Sequence, residues 1–346
     1  MRRGSWWPAP SCRMGPAIWG HSGLRHERQT RRTTPLRRDA GWTRRFGGRP
    51  VKSMSPRFER TGAMDAPADV PVTPPAATGG PGYLPHLSLI IPAYNEAERL
   101  GSRLASLISY LESRPYSTEL LVISDGSTDG TRLVVEAAFA EIDPVGPLRA
   151  WCLEYFPNGG KGRAVRTGVM ASRGTHVAFT DADLSTPIEE VDRALGVLMT
   201  LDGAGTRIVI GSRAVAGARV GKKQPRFRQL SARLFNILRD GITGVHTVRD
   251  TQCGLKVFDG VVARAIFTKQ VIDGFMFDVE TVYIAQRLGL VIYELGVTWD
   301  DVPDSRVRLS SALKLLPDLW RIRRTHWRLR PADAPALLQA FATVAR

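Results

Sequence analysis

Cysteine is scarce in this chain: three in 346 residues, at Cys12, Cys152 and Cys253. An odd number at wide spacing builds neither a disulfide framework nor a cysteine metal cluster, and it suits a reducing compartment. Long apolar runs are missing too. Runs such as Leu89-Ile90-Ile91 and Ile208-Val209-Ile210 fall far short of the ~18 residues that span a bilayer, so no transmembrane helix is expected. Neither GxxxxGK[ST] nor GxGxxG occurs, which leaves no P-loop and weakens a dinucleotide-binding reading. No internal repeat is visible, and the leader has no apolar core of a secretory signal.

What is abundant is positive charge, and it is unevenly placed. Residues 1–80 hold 15 Lys/Arg against 5 Asp/Glu, a net +10 of the whole chain's +15. Residues 306–330 hold 8 basic residues against the single acid Asp318. The stretch between, 81–305, is close to neutral. Residues 1–83, rich in Arg, Pro and Gly and without periodicity, are expected to be a disordered extension. Met54 and Met64 would serve equally well as starts, so this extension can also be an over-extended gene start. An Arg-rich arm that targets the chain or binds nucleic acid is the other reading of it; none is expected for the folded body.

From His86 onward short β-branched runs alternate with helical stretches. Strands are expected at 87–91, 119–124, 150–155, 175–180 and 207–211, and helices at 97–113, 130–142, 162–172 and 187–201. The spacing of Leu100, Leu104, Leu107 and Leu111 marks one buried helical face. Strand and helix in alternation predict a mostly parallel, Rossmann-like α/β sheet with helices on both faces. Such sheets bind ligands at the carboxyl ends of their strands. Later segments are less regular: a helix at 229–243, an irregular polar stretch at 250–258, a helix at 277–288 and a strand at 291–299. The folded body is assigned to 84–305, divided into a nucleotide-binding half, 84–212, and an acceptor half, 213–305.

Carboxylates cluster where strands end. Asp125 and Asp129 lie in Asp125-Gly126-Ser127-Thr128-Asp129-Gly130, and each has a plain structural alternative, a turn for Asp125 and a helix N-cap for Asp129. Asp181-Ala182-Asp183 is sharper. In an extended segment, residues two apart point the same way, so both carboxylates would face one hard cation whose remaining ligands are substrate phosphates. Its alternative is a polar turn before the Ser185-Thr186-Pro187 helix start. Asn158-Gly159-Gly160-Lys161-Gly162-Arg163 reads as a flexible loop offering amides and a lysine to phosphate.

In this order, Leu89-Ile90-Ile91-Pro92-Ala93-Tyr94-Asn95-Glu96, the Asp125 to Thr131 run, Gly160-Lys161-Gly162 and Asp181-Ala182-Asp183 resemble the inverting family 2 glycosyltransferases of GT-A fold. Arg249-Asp250-Thr251-Gln252-Cys253-Gly254-Leu255-Lys256, Phe277-Asp278-Val279-Glu280 and Val297-Thr298-Trp299 look like the dolichyl-phosphate β-glucosyltransferase branch. The resemblance places Pro92, Tyr94, Glu96, Asp125, Lys161 and Asp181 around the nucleotide, and Asp181 and Asp183 on Mg2+ or Mn2+. It makes Asp183, Arg213 and Arg306 catalytic, the two arginines facing an acceptor phosphate; Arg306 replaces the family's lysine and alters its geometry. Gln252, Asp278 and Glu280 become candidates for acceptor or sugar contacts, with helix packing as the alternative for the two acids.

The implied activity is metal-dependent transfer of a hexose, glucose, from a UDP-sugar to dolichyl or another polyprenyl phosphate with inversion. GDP-mannose as donor, or a hydroxyl acceptor other than a polyprenol, is the alternative within the family. A basic nucleic-acid- or membrane-binding protein with a degenerate transferase site is the alternative outside it. A lipid acceptor implies a peripheral protein on the cytoplasmic face of a membrane. Residues 306–346 are read as its basic amphipathic segment: Leu309, Leu313, Leu316 and Trp320 recur at helical spacing before Arg321, Arg323, Arg324, Arg328 and Arg330, with Pro317 bending or dividing the helix. A helix packed on its own domain with a solvated basic end is the alternative.

Overall fold

A computed structural model describes residues 84–221, 226–300 and 316–342. In chain order the elements are β1 (Leu87–Ala93), α1 (Ala97–Glu112), β2 (Thr118–Asp125), α2 (Thr131–Phe139), β3 (Leu148–Tyr155), α3 (Lys161–Ala171), β4 (His176–Phe179), α4 (Glu189–Leu201) and β5 (Thr206–Ser212). They continue with β6 (Arg219–Val220), α5 (Arg226–Thr243), β7 (Lys256–Asp259), α6 (Gly260–Lys269), α7 (Phe277–Arg287), β8 (Val291–Gly296), β9 (Thr298–Trp299), α8 (Leu316–His326) and α9 (Ala334–Ala342).

The main sheet has the order β3-β2-β1-β4-β7-β5-β8. β1, β2, β3 and β4 run parallel, and β5 pairs in parallel with β8. Two-residue periodicity divides the central strands between two cores. Ile90, Leu121 and Ile123 join one, with α3, α6 and α7; Leu89, Ile91, Leu120 and Val122 join the other, with α1 and α4. Every member of the Leu100, Leu104, Leu107, Leu111 stripe is at most 2% exposed, as its spacing requires. The parallel sheet covered on both faces is the architecture expected from the alternating pattern.

β7 is the main departure. It lies in the middle of the sheet, antiparallel to both β4 and β5, within a stretch read from sequence as irregular. Four residues beginning with a lysine carry no hydrophobic alternation, yet Lys256, Val257 and Phe258 are all fully buried. β7 also carries the sheet across residue 212, so the nucleotide and acceptor halves share one sheet. The helix α6 that follows was not expected; Asp259 caps it, accepting from the Val261 and Val262 amides at 2.9 and 3.1 Å.

The C-terminal helix α8 packs on α5 and α7. Leu319 and Ile322 face the core, while Trp320 is 60% exposed. Pro317 stands in its first turn, where a missing N–H costs nothing. Leu309, Leu313 and Arg306 lie outside the described residues, as does the Arg-rich leader.

Candidate active site

The loops leaving β1 and β2 are sewn together through backbone amides. Asn95 sits in the left-handed region at φ 52°; its Oδ1 accepts the Thr128 amide at 2.7 Å while its own amide donates to Ser127 Oγ at 3.1 Å. The first amides of α1 find partners in the other loop, Glu96 N on Thr131 Oγ1 at 2.9 Å and Ala97 N on Asp129 Oδ2 at 3.1 Å. Asp129 also accepts from the Thr131 amide at 3.0 Å, so its carboxylate binds the first amide of α2 as well as of α1, while Gly130 holds the N-cap position of α2 itself. One carboxylate thus fixes two helix starts at the edge of the cleft.

Asp125, at the end of β2, turns inward. Its carboxylate accepts from Asn158 Nδ2 at 3.0 Å and from the Gly159 and Gly160 amides at 2.6 and 2.9 Å. The loop before α3 is therefore held, not flexible as its glycines suggested. Gly160 adopts φ 97°, and a Cβ there would collide with the Asp273 carbonyl; Arg163 N donates to that same carbonyl at 3.2 Å.

These strand ends surround a cleft of about 470 Å³. All six nucleotide candidates, Pro92, Tyr94, Glu96, Asp125, Lys161 and Asp181, line it, together with Asp183. Arg99 and half-exposed Phe275 line it as well. Neither belongs to a strand-end motif, and sequence reasoning passed over both. Asp181 and Asp183 both line the cleft, but not in the extended geometry expected of them. Residues 181–184 form a turn, Leu184 N donating to Asp181 O at 3.0 Å with Leu184 at φ 45°. The two carboxylates meet the cleft through that turn and not through an extended pleat. The turn alternative is realised at the same time: Asp183 Oδ1 accepts the Ser185 amide at 2.9 Å. Arg103 of α1 donates to the Asp183 carbonyl.

Lys161 Nζ lies 2.6 Å from Asp181 Oδ1. Burial by itself would lower the lysine and raise the aspartate, but their mutual attraction prevails. Asp181 and Asp278 hold the Lys161 ammonium well above its ordinary value, and Lys161, then Lys256 and Arg213, hold the Asp181 carboxyl below its own. Asp181 and Asp183 suit a hard divalent cation. Among the described residues no group of three His, Cys, Asp or Glu could enclose one, so the donor set fits an ion completed by phosphate oxygens.

The remaining candidates stand behind this wall. Arg213 makes a forked pair with Asp250, Nε to Oδ2 at 2.7 Å and Nη2 to Oδ1 at 2.9 Å, over the Trp299 ring. Asp278, 2% exposed, receives the ammonium of fully buried Lys256. Glu280, fully buried, accepts the Val271 and Ile272 amides at 2.9 and 2.8 Å and pairs with His326 Nε2 at 2.7 Å. Both acids were candidates for sugar contact; in the structure both oxygens of Glu280 and Oδ1 of Asp278 are engaged by buried protein partners, as in the packing alternative. Gln252 donates its backbone amide to Asp250 Oδ1 at 3.2 Å, and its buried Nε2 has no partner among the described residues. Lys256 and Asp250 went unassigned in sequence reasoning, and no local signal marked the partner of either.

Comparison with known proteins agrees with this arrangement. Residues 88–258 match the model of Glycosyl transferase family 2. The dolichyl-phosphate beta-glucosyltransferase of Drosophila melanogaster is 35% identical over 259 residues, 72% of this chain and 78% of its own. The human enzyme of that name is 33% identical over 255 residues, 70% and 78% of the two chains. Among solved structures, a mycobacterial protein superposes with a TM-score of 0.50 at 21% identity, covering 70% of this chain and 75% of its own, a likeness of fold.

Proposed function

The chain belongs to glycosyl transferase family 2, and on that footing we propose that it transfers glucose from UDP-glucose to dolichyl or another polyprenyl phosphate with inversion. The carrying observation is the cleft at the strand ends, where Asp181, Asp183 and Lys161 converge beside the nucleotide candidates, in a chain 35% identical to a dolichyl-phosphate beta-glucosyltransferase over most of its length.

Asp181 and Asp183 would hold Mg2+ or Mn2+, which when bound neutralises charge on the departing diphosphate. The protein's own groups do the rest. The stitched loops after β1 and β2 hold Tyr94 and Glu96 against the nucleoside, and Lys161 stands ready to meet a phosphate oxygen. Arg213, with Nε and Nη2 fixed on Asp250, is aimed before the acceptor arrives. An acceptor phosphomonoester, with a second pKa of about 6, is largely dianionic near neutral pH. Its oxygen attacks the anomeric carbon, the bond from that carbon to the diphosphate oxygen breaks, and UDP leaves. No protein base is needed, in keeping with the burial of Asp278 and Glu280 and their pairing with Lys256 and His326. In-line displacement converts the α-linked donor into a β-linked polyprenyl phosphate.

Purified protein, polyprenyl phosphate and a panel of UDP- and GDP-sugars test the proposal. UDP-glucose should be the preferred donor and the product's anomeric proton should show the β configuration; an α product, or transfer only to simple alcohols, would reject it. A lipid acceptor further places the protein peripherally on the cytoplasmic face of a membrane. In support, basic Arg321, Arg324 and Arg328 and tryptophans Trp320 and Trp327 are exposed on and after α8. Because Leu319 and Ile322 are core residues, removing the helix would unfold the test. Charge reversal at the three arginines avoids that, and flotation on anionic vesicles should then fall.

A further inference from the structure

The ammonium of Lys161 occupies the carboxylate that a divalent ion would need. Lys161 Nζ sits 2.6 Å from Asp181 Oδ1, whereas Asp183 has no cation within 4 Å among the described residues and spends Oδ1 on the Ser185 amide. A metal ion reaching the cleft ahead of a nucleotide therefore finds one of its two carboxylates already neutralised. The competitor is tethered, so its effective concentration at Asp181 is on the order of millimolar or higher. The tether itself is fixed. Gly160 and Gly162 flank Lys161 and are jammed against the carbonyls of residues 272 and 273, and Asp125 holds the Gly159 and Gly160 amides. Only the lysine side chain can leave, and it leaves for something of stronger negative charge. A diphosphate in the cleft offers that.

We infer that Lys161 is an electrostatic latch on Asp181, which keeps the divalent-ion site weak until a nucleoside diphosphate draws the ammonium away. The inference rests on the metal-and-diphosphate reading of the cleft and adds an order to it. Nucleotide binding releases Asp181, and by linkage the two ligands strengthen each other beyond the phosphate oxygens that they share. A lysine serving only as a phosphate ligand would leave metal affinity in the absence of nucleotide untouched.

The test is titration of the full chain with Mn2+ alone, free ion counted by electron paramagnetic resonance, with and without UDP. Lys161→Gln removes the competing charge. It should bind Mn2+ without UDP about tenfold more tightly than the parent, a coupling of ordinary size, while UDP binding weakens. Lys161→Arg keeps the cation and should keep the weak parental affinity, which guards against misreading a folding defect in the glutamine variant. Unchanged or weaker Mn2+ binding in a folded Lys161→Gln protein would overturn the latch alone. Failure of the parent to bind Mn2+ even with UDP would overturn the metal-dependent reading, and the latch with it.

Discussion

Between β1 and α4 the charged side chains at the strand ends meet an open cleft; from Arg213 onward they meet one another. Asp125, Asp181 and Asp183 line the cleft, while Arg213 with Asp250, Lys256 with Asp278 and His326 with Glu280 are closed pairs. A carboxylate's job here is set by its partner and not by its motif. The first half offers charge to a ligand, and the second uses most of it to brace the first, Arg213 being the one member also proposed to meet the acceptor. Lys256 and Arg213 both depress the Asp181 carboxyl across the boundary between them.

The largest effect expected from this contrast is at Asp183. Asp183→Ala should lower turnover by about 10²–10³-fold, the usual scale for losing one electrostatic contact to a leaving group, with far-ultraviolet circular dichroism unchanged. The lost bond to the Ser185 amide should cost only about 1 kcal/mol in denaturant unfolding. Near-parental transfer of glucose by this variant would move Asp183 into the class of braces.

Lys256→Met probes the other side. It strands Asp278 in the core, and removing one member of a buried pair typically costs about 3–5 kcal/mol. Urea unfolding should show that loss, and Lys256→Met with Asp278→Leu should recover much of it. If the single variant kept its stability and lost only turnover, Lys256 would belong to the cleft and the two-region picture would break.

Much of the first region could be read in advance because a parallel sheet delivers its functional groups at the ends of hydrophobic strands. Pro92, Tyr94, Glu96, Asp125, Lys161 and Asp181 each end or follow a strand or open the next helix, and all line the cleft. β7 could not be read that way. Its lysine is buried by an ion pair with a residue 22 positions later, and no local period announces such a partner. The same cause hid the role of Glu280, whose binding partners come from the loop before α7 and from α8. The Asp181 and Asp183 pair was found through the wrong geometry, since an extended segment and a turn present two carboxylates to one cleft equally well.

Glu280→Gln sharpens the contrast at smaller amplitude. The amide keeps one acceptor oxygen for the Val271 and Ile272 N–H groups but cannot serve both as the carboxylate does, and it loses the charge opposite His326. A stability loss of about 1–3 kcal/mol follows from the unsatisfied buried groups. Because the Val271–Asp273 segment backs Gly160 and Gly162, the donor KM should rise more than kcat falls. A drop in kcat alone, at parental stability, would restore Glu280 to a role at the sugar.

The smallest effect belongs to a strand-end carboxylate that is a brace inside the first region. Asp129 is exposed and binds the first amides of α1 and α2. Partial burial would raise its carboxyl, but the Thr131 hydroxyl and the Ala97 and Thr131 amides outweigh that and hold it below the ordinary aspartate value. The carboxylate form is therefore the one that the fold binds. Its contribution is complete above about pH 4, the value in an unfolded chain, and fades as pH falls through the lower folded value. Asp129→Ala should cost about 1 kcal/mol at pH 7, trimmed by solvent at so exposed a site, and the gap between variant and parent should narrow towards pH 3 in urea midpoints. Turnover at pH 7 should stay within about twofold of the parent. A large fall in turnover without a matching loss of stability would make Asp129 a ligand of the nucleotide and take it out of the class of braces.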